Sequence, residues 1–107
     1  MARVSGATNS FYRGNYQMSV NRTEIIERLT TIIADQLSKD VEKIRNIVTM
    51  QPDAELELLG IDELEHFELM MNIEEAFECE ISDQEAEGLL HFGELVDFVI
   101  ECKEKNP

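Results

Sequence analysis

The chain has 107 residues, with 23 acidic against 9 basic side chains and a formal net charge of −14. That length holds one small domain with a modest core, and that charge argues against nucleic acid and anionic membranes as partners, because both require a basic patch. All the acids lie from Glu24 onward and no Lys or Arg stands between Arg45 and Lys103, so the natural complement is a basic protein surface or a cation.

Residues 1–20 hold Arg3, Arg13, Phe11, Tyr12 and Tyr16 among Ser, Asn and Gly, with no acid. This composition reads as a disordered N-terminal tail ahead of a folded domain spanning 21–104. Asn21 is a helix cap with Glu24 three residues on as its capping-box partner, and Val20 can staple against Ile25. Ile25, Ile26, Leu29, Ile32, Ile33 and Leu37 then recur with helical period. After Ser38-Lys39-Asp40, the spacing of Val41, Ile44, Ile47 and Val48 predicts a short extra helix, followed by a loop around Gln51-Pro52-Asp53. Leu56, Leu58 and Leu59 are expected to tuck that loop onto the core.

Asp62 opens the next helix with Glu65 as its capping-box partner, and the pattern runs to Phe77. Its apolar residues Leu64, Phe67, Leu69, Met70, Met71, Ile73, Ala76 and Phe77 are too many for one narrow stripe. Some must face outward, which marks a candidate contact surface. Ile81-Ser82-Asp83 predicts a capped turn into a short helix ending near Gly88, and His91-Phe92-Gly93-Glu94 leads into a last helix through Cys102. No segment alternates with period two, so the fold class is all-α, a small four-helix bundle with a long connection between its first two principal helices.

Chemistry-bearing patterns are sparse. Asp83, Glu85, Glu87, Gly88 and Glu94 match positions 1, 3, 5, 6 and 12 of an EF-hand loop, but long Glu side chains replace the short acids such a loop uses, and no metal site is expected. His66 and His91 are too far apart for a helical ligand pair and read as solvent-facing or capping residues. No nucleophile constellation or phosphate loop occurs, so no catalytic residue is expected and the enzyme class is rejected. Cys79 and Cys102 lack metal-ligand spacing and read as reduced thiols in a cytosolic protein. No apolar run is long enough to span a bilayer or form a secretory core, and the expected location is cytoplasmic.

The stretch Gly60-Ile61-Asp62-Glu63-Leu64-Glu65-His66-Phe67-Glu68-Leu69 resembles the G-x-D-S-L-x-x-x-E-L signature of acyl carrier proteins, whose Ser hydroxyl carries the phosphopantetheine arm. Asn72-Ile73-Glu74-Glu75-Ala76-Phe77, Ile81-Ser82-Asp83-Gln84-Glu85-Ala86-Glu87 and Phe92-Gly93-Glu94-Leu95-Val96-Asp97-Phe98-Val99 resemble further family segments at family spacing. The departures are Glu63 at the position of the modified Ser, Leu58 where the family often has Asp, and the longer first connection. A carboxylate cannot form the alkyl phosphodiester of the arm, so no cofactor is expected at Asp62-Glu63-Leu64.

The resemblance implies that a partner with a basic docking patch, of the kind found on enzymes of acyl-chain synthesis, reads this helix through Leu64, Phe67, Glu68, Met71, Glu74 and Glu75, with Ile81, Asp83 and Glu87 at the lower end. The expected function is therefore a non-carrying adaptor linked to fatty-acid or polyketide-type synthesis. The alternative is a genuine acyl carrier protein whose attachment Ser has been substituted or replaced by an unusual route, and phosphopantetheine belongs only to that reading.

Overall fold

The computed structural model describes residues 21–105; the expected tail over 1–20 and the Val20 staple lie outside them. Five α-helices follow in chain order: α1 (Arg22–Leu37), α2 (Val41–Met50), α3 (Glu63–Phe77), α4 (Asp83–Gly88) and α5 (Phe92–Lys105), with a 3-10 turn over Leu56–Leu59. Four are long, one is short, and the described residues contain no strand beyond an isolated bridge between Glu55 and His91. This is the all-α bundle that the periodicity predicts.

Short polar side chains set most of the helix starts. Asn21 Oδ1 accepts from the Glu24 amide at 3.3 Å, and the Asp40 carboxylate accepts from the Glu42 amide at 2.9 Å. Asp62 and Ser82 each form a complete capping box with the Glu three residues on, which satisfies N–H groups that a helix start otherwise leaves unpaired. Ser38 and Glu78 close α1 and α3 in the left-handed conformation.

The central element is α1, against which α2, α3 and α5 all pack. Its inward stripe of Ile25, Leu29, Ile33 and Ala34 meets Ile44 and Val48 of α2, Leu69, Met70, Ile73 and Phe77 of α3, and Phe92, Leu95, Val96 and Val99 of α5 in one buried cluster. Each such large side chain removed from water contributes about 2 kcal/mol. Thr30 is the buried polar residue among those described, and its hydroxyl donates back to the Ile26 carbonyl at 2.7 Å, which meets the cost of burying it. The 3-10 turn corrects one expectation: Leu56 and Leu59, three apart, both point inward, so Leu58 between them is 56 % exposed.

The cysteines bring the larger correction. Cys79, just beyond α3, and Cys102, in the last turns of α5, form a disulfide with their Cα atoms 6.2 Å apart. A sequence separation of 23 hides a proximity that only the packing of α3 and α5 against α1 creates. The expectation of two reduced thiols is thereby corrected. No helix among the described residues is long and apolar enough to cross a membrane.

Candidate functional site

The α3 helix begins at Glu63, with Asp62 as its cap: the Asp62 carboxylate accepts from the Glu65 amide at 2.8 Å, and the Glu65 carboxylate accepts from the Asp62 amide at 3.0 Å. Both capping carboxylates are thereby turned onto the backbone. Glu63 occupies the first helical position, is exposed, and its carboxylate makes no hydrogen bond or ion pair among the described residues. Its charge stands where free N–H groups and the helix dipole favour an anion.

Gly60 makes this approach possible. It closes the 3-10 turn at φ 103°, a conformation that a side chain strains, and so delivers buried Ile61 and the cap to the start of α3.

The outward apolar residues fall on one face. Leu64 is 69 % exposed and Phe67 and Met71 are each 60 % exposed, a spacing of three and four that places them in a row on a helix. Exposed Glu68 and Glu75 lie on the same side of α3. Glu74 differs from the expected pattern. It is half-buried, and its Oε2 accepts from the Ile81 amide at 2.8 Å, so its charge is partly committed to shaping the turn into α4. Ile81 is likewise half-buried against the core.

A second feature adjoins the row. Glu63, Phe67, Asp83 and Glu87 line a groove of about 700 Å³ between the start of α3, α4 and the 3-10 turn, together with His66 and His91. The structure therefore splits the predicted residues into two groups. Leu64, Glu68, Met71 and Glu75 form an outer face, while Phe67 lies between that face and the groove that Asp83 and Glu87 border.

Both histidines serve this groove. The His66 Nε2–H donates to the Leu89 carbonyl at 2.9 Å and ties α3 to the α4–α5 connection, a bridging role that the sequence reading missed. One signal was present: His66 extends by a turn the inward stripe of Leu69, Met70, Ile73 and Phe77. His91 Nδ1 lies 3.1 Å from Glu94 Oε1, which also accepts the Leu90 and His91 amides at 3.1 and 3.0 Å. Pairing with Glu94 raises the His91 pKa above its ordinary value, against partial desolvation and with help from Asp53 and Glu55; reciprocally, His91 and the two amides hold the Glu94 carboxyl below its usual range. The residues at EF-hand spacing thus have other duties. Asp83 opens a helix, and Glu94 caps one.

Most of the described basic side chains are engaged elsewhere. Arg28 donates to the Ala76 carbonyl at 2.8 Å and stacks 4.2 Å from the Phe77 ring centroid, Lys103 donates to the Phe77 carbonyl, Arg45 pairs with Glu27 and Glu42, and Arg22 pairs with Asp97. None stands on α3 or α4, so the acids of the outer face are not neutralised along their own helix.

The family model described as a phosphopantetheine attachment site matches residues 27–99. The chain belongs to the acyl carrier protein family. Among the curated proteins similar to it is the acyl carrier protein of Thermosynechococcus vestitus, 42% identical over 80 residues that cover 75% of this chain and 93% of that protein. The acyl carrier protein of Prochlorococcus marinus is 35% identical over 80 residues, covering 75% of this chain and 94% of its own length. The carboxylate of Glu63 offers no hydroxyl for a phosphodiester. The two described serines are placed as helix caps, Ser38 ending α1 and Ser82 opening α4 with its Oγ accepting the Glu85 amide at 3.1 Å.

Proposed function

We propose that this chain is a non-carrying acyl carrier protein, an adaptor that docks a basic partner through α3, in the setting of fatty-acid or polyketide-type synthesis. One observation carries the reading: a carboxylate occupies the first position of α3, directly beside an intact row of exposed apolar residues flanked by acids. The acids steer a basic surface into register, and Phe67 and Met71 supply the apolar anchors that such a contact buries. Asp83 and Glu87 extend the charge onto α4. No reacting group is required, and the protein acts as a binding module rather than an enzyme.

Family membership itself favours a second reading, in which the protein is a carrier of acyl chains and Glu63 has displaced the attachment residue. Phosphopantetheine belongs to that reading alone. The residues present do not fit the arm, since neither Glu63 nor the two capping serines reproduces an Asp-Ser-Leu site.

The docking surface is tested by affinity measurement against an enzyme of acyl-chain synthesis that binds carriers. Glu68→Lys with Glu75→Lys, or Phe67→Ala with Met71→Ala, is expected to weaken binding roughly 10- to 100-fold. The melting temperature should barely change, because these side chains are exposed. Unaltered affinity in both double variants would remove α3 as the interface. Glu74→Lys is the poorer probe, because it also removes the acceptor of the Ile81 amide.

A further inference from the structure

The disulfide lies at the far end of α3 from Glu63, and its surroundings are chemically biased. Cys79 is 4 % exposed, whereas Cys102 is only half-buried and opens onto a surface recess of about 400 Å³. That recess is lined by Glu78, Glu80, Glu85 and Glu101 against the single cation of Lys105. A thiol opens a disulfide as its thiolate, approaching along the S–S axis from an accessible side. Here the accessible side is Cys102, and the approach crosses a field of carboxylates that repels an anion.

We infer that Cys79–Cys102 is a thiol–disulfide exchange site selective by charge, opened by cationic or basic-surfaced dithiol reductants and protected from anionic thiols. In the first step the reductant's thiolate bonds to Sγ of Cys102 and the S–S bond breaks, releasing Sγ of Cys79, which takes a proton from solvent. The Cys79 Sγ lies 3.5 Å from the Phe77 carbonyl oxygen, the acceptor to which the new S–H donates. The reductant's second thiol, as thiolate, then attacks the mixed disulfide and releases Cys102, which is protonated in turn. The reductant loses two electrons and two protons to become a disulfide, and the protein gains both.

Opening the bond does not release the end of α3, because Arg28 and Lys103 still hold the Ala76 and Phe77 carbonyls. It frees the connection through Glu80 to α4 from α5. The inference concerns chemistry at this end of the bundle and stands apart from the docking reading.

The full-length chain is first alkylated under denaturing conditions without reductant. No adduct is expected, and two adducts are expected after reduction; two adducts without reduction would overturn the pairing. Opening rates are then measured with cysteamine, 2-mercaptoethanol and 2-mercaptoethanesulfonate at equal thiolate concentration. The order expected is cysteamine fastest and the sulfonate slowest, with a spread of roughly tenfold at low salt that collapses in concentrated salt. Equal rates, or a faster sulfonate, would overturn the selectivity. Glu80→Gln with Glu101→Gln should narrow the spread, and an unchanged spread counts against the recess as its source. Amide exchange across Glu80–Gly88 should rise severalfold on reduction; if it does not, exchange fails to loosen the connection.

Discussion

Residue 63 stands at the first helical position of α3, where the helix dipole favours negative charge. As the first helical residue, beyond a capping box that already uses Asp62 and Glu65, Glu63 adds a negative charge that interacts with the helix dipole without neutralising another side chain. In the reading proposed above, a charged group therefore remains at the attachment position while the hydroxyl chemistry is lost. His91 and Glu94 form a charged pair whose two shifts run in opposite directions. The raised His91 pKa means that its stabilisation is fully present below the ordinary value of 6.5 and is lost as pH rises through the folded value. Glu94, held low, contributes above its ordinary value of 4.5 and loses that contribution as pH falls through its folded value. A carbon-13 or proton titration should place His91 above the free imidazole, and Glu94→Gln should bring it back down while keeping an acceptor for the two amides. An unmoved midpoint would show that the pair does not set it.

At the scale of elements, much of the helical framework was legible because its signals are local. Asn21, Asp62 and Ser82 are capping side chains that act within three residues, and the stripes they introduce need only one face of a helix to be read. Leu58 was not legible in this way. Three leucines in four residues give no indication which two turn inward until the 3-10 turn sets Leu56 and Leu59 together. Cys79 and Cys102 were invisible for the opposite reason, since their meeting depends on how two helices pack around a third. The crosslink constrains a loop with a separation of 23 residues, a restriction of the unfolded chain worth about 3 kcal/mol in the loop-entropy account. Gly60 belongs to the same scale, because the turn it makes joins the core to the start of α3. Gly60→Ala is expected to destabilise by about 1–2 kcal/mol through its positive φ, read by denaturant unfolding. A neutral result would mean that the turn can relax without cost.

Across the whole molecule, charge and fold pull in different directions. A net charge of −14 on so small a chain repels itself, while five of the described cations are committed to side-chain or carbonyl contacts and few of the described ones remain to relieve the α3 and α4 faces. Added monovalent salt should therefore raise the melting temperature at neutral pH and weaken association with a basic partner. A melting temperature that falls with salt would place the ion pairs above self-repulsion. The candidate site was half legible on this scale. The acidic, apolar-rich helix could be read from composition and period, but the commitment of Glu74 to the Ile81 amide, the bridging of His66 to Leu89, and the sharing of Phe67 between two surfaces all arise from tertiary packing.

The claim on which the account turns is that position 63 separates carrying from docking. Incubation with a broad-specificity phosphopantetheinyl transferase and coenzyme A, followed by intact mass, tests it directly. The wild-type chain should show no arm-sized increment and Glu63→Ser should gain one, the variant's success proving that the transferase still docks on α3. A quantitative increment on the wild-type chain would contradict the account.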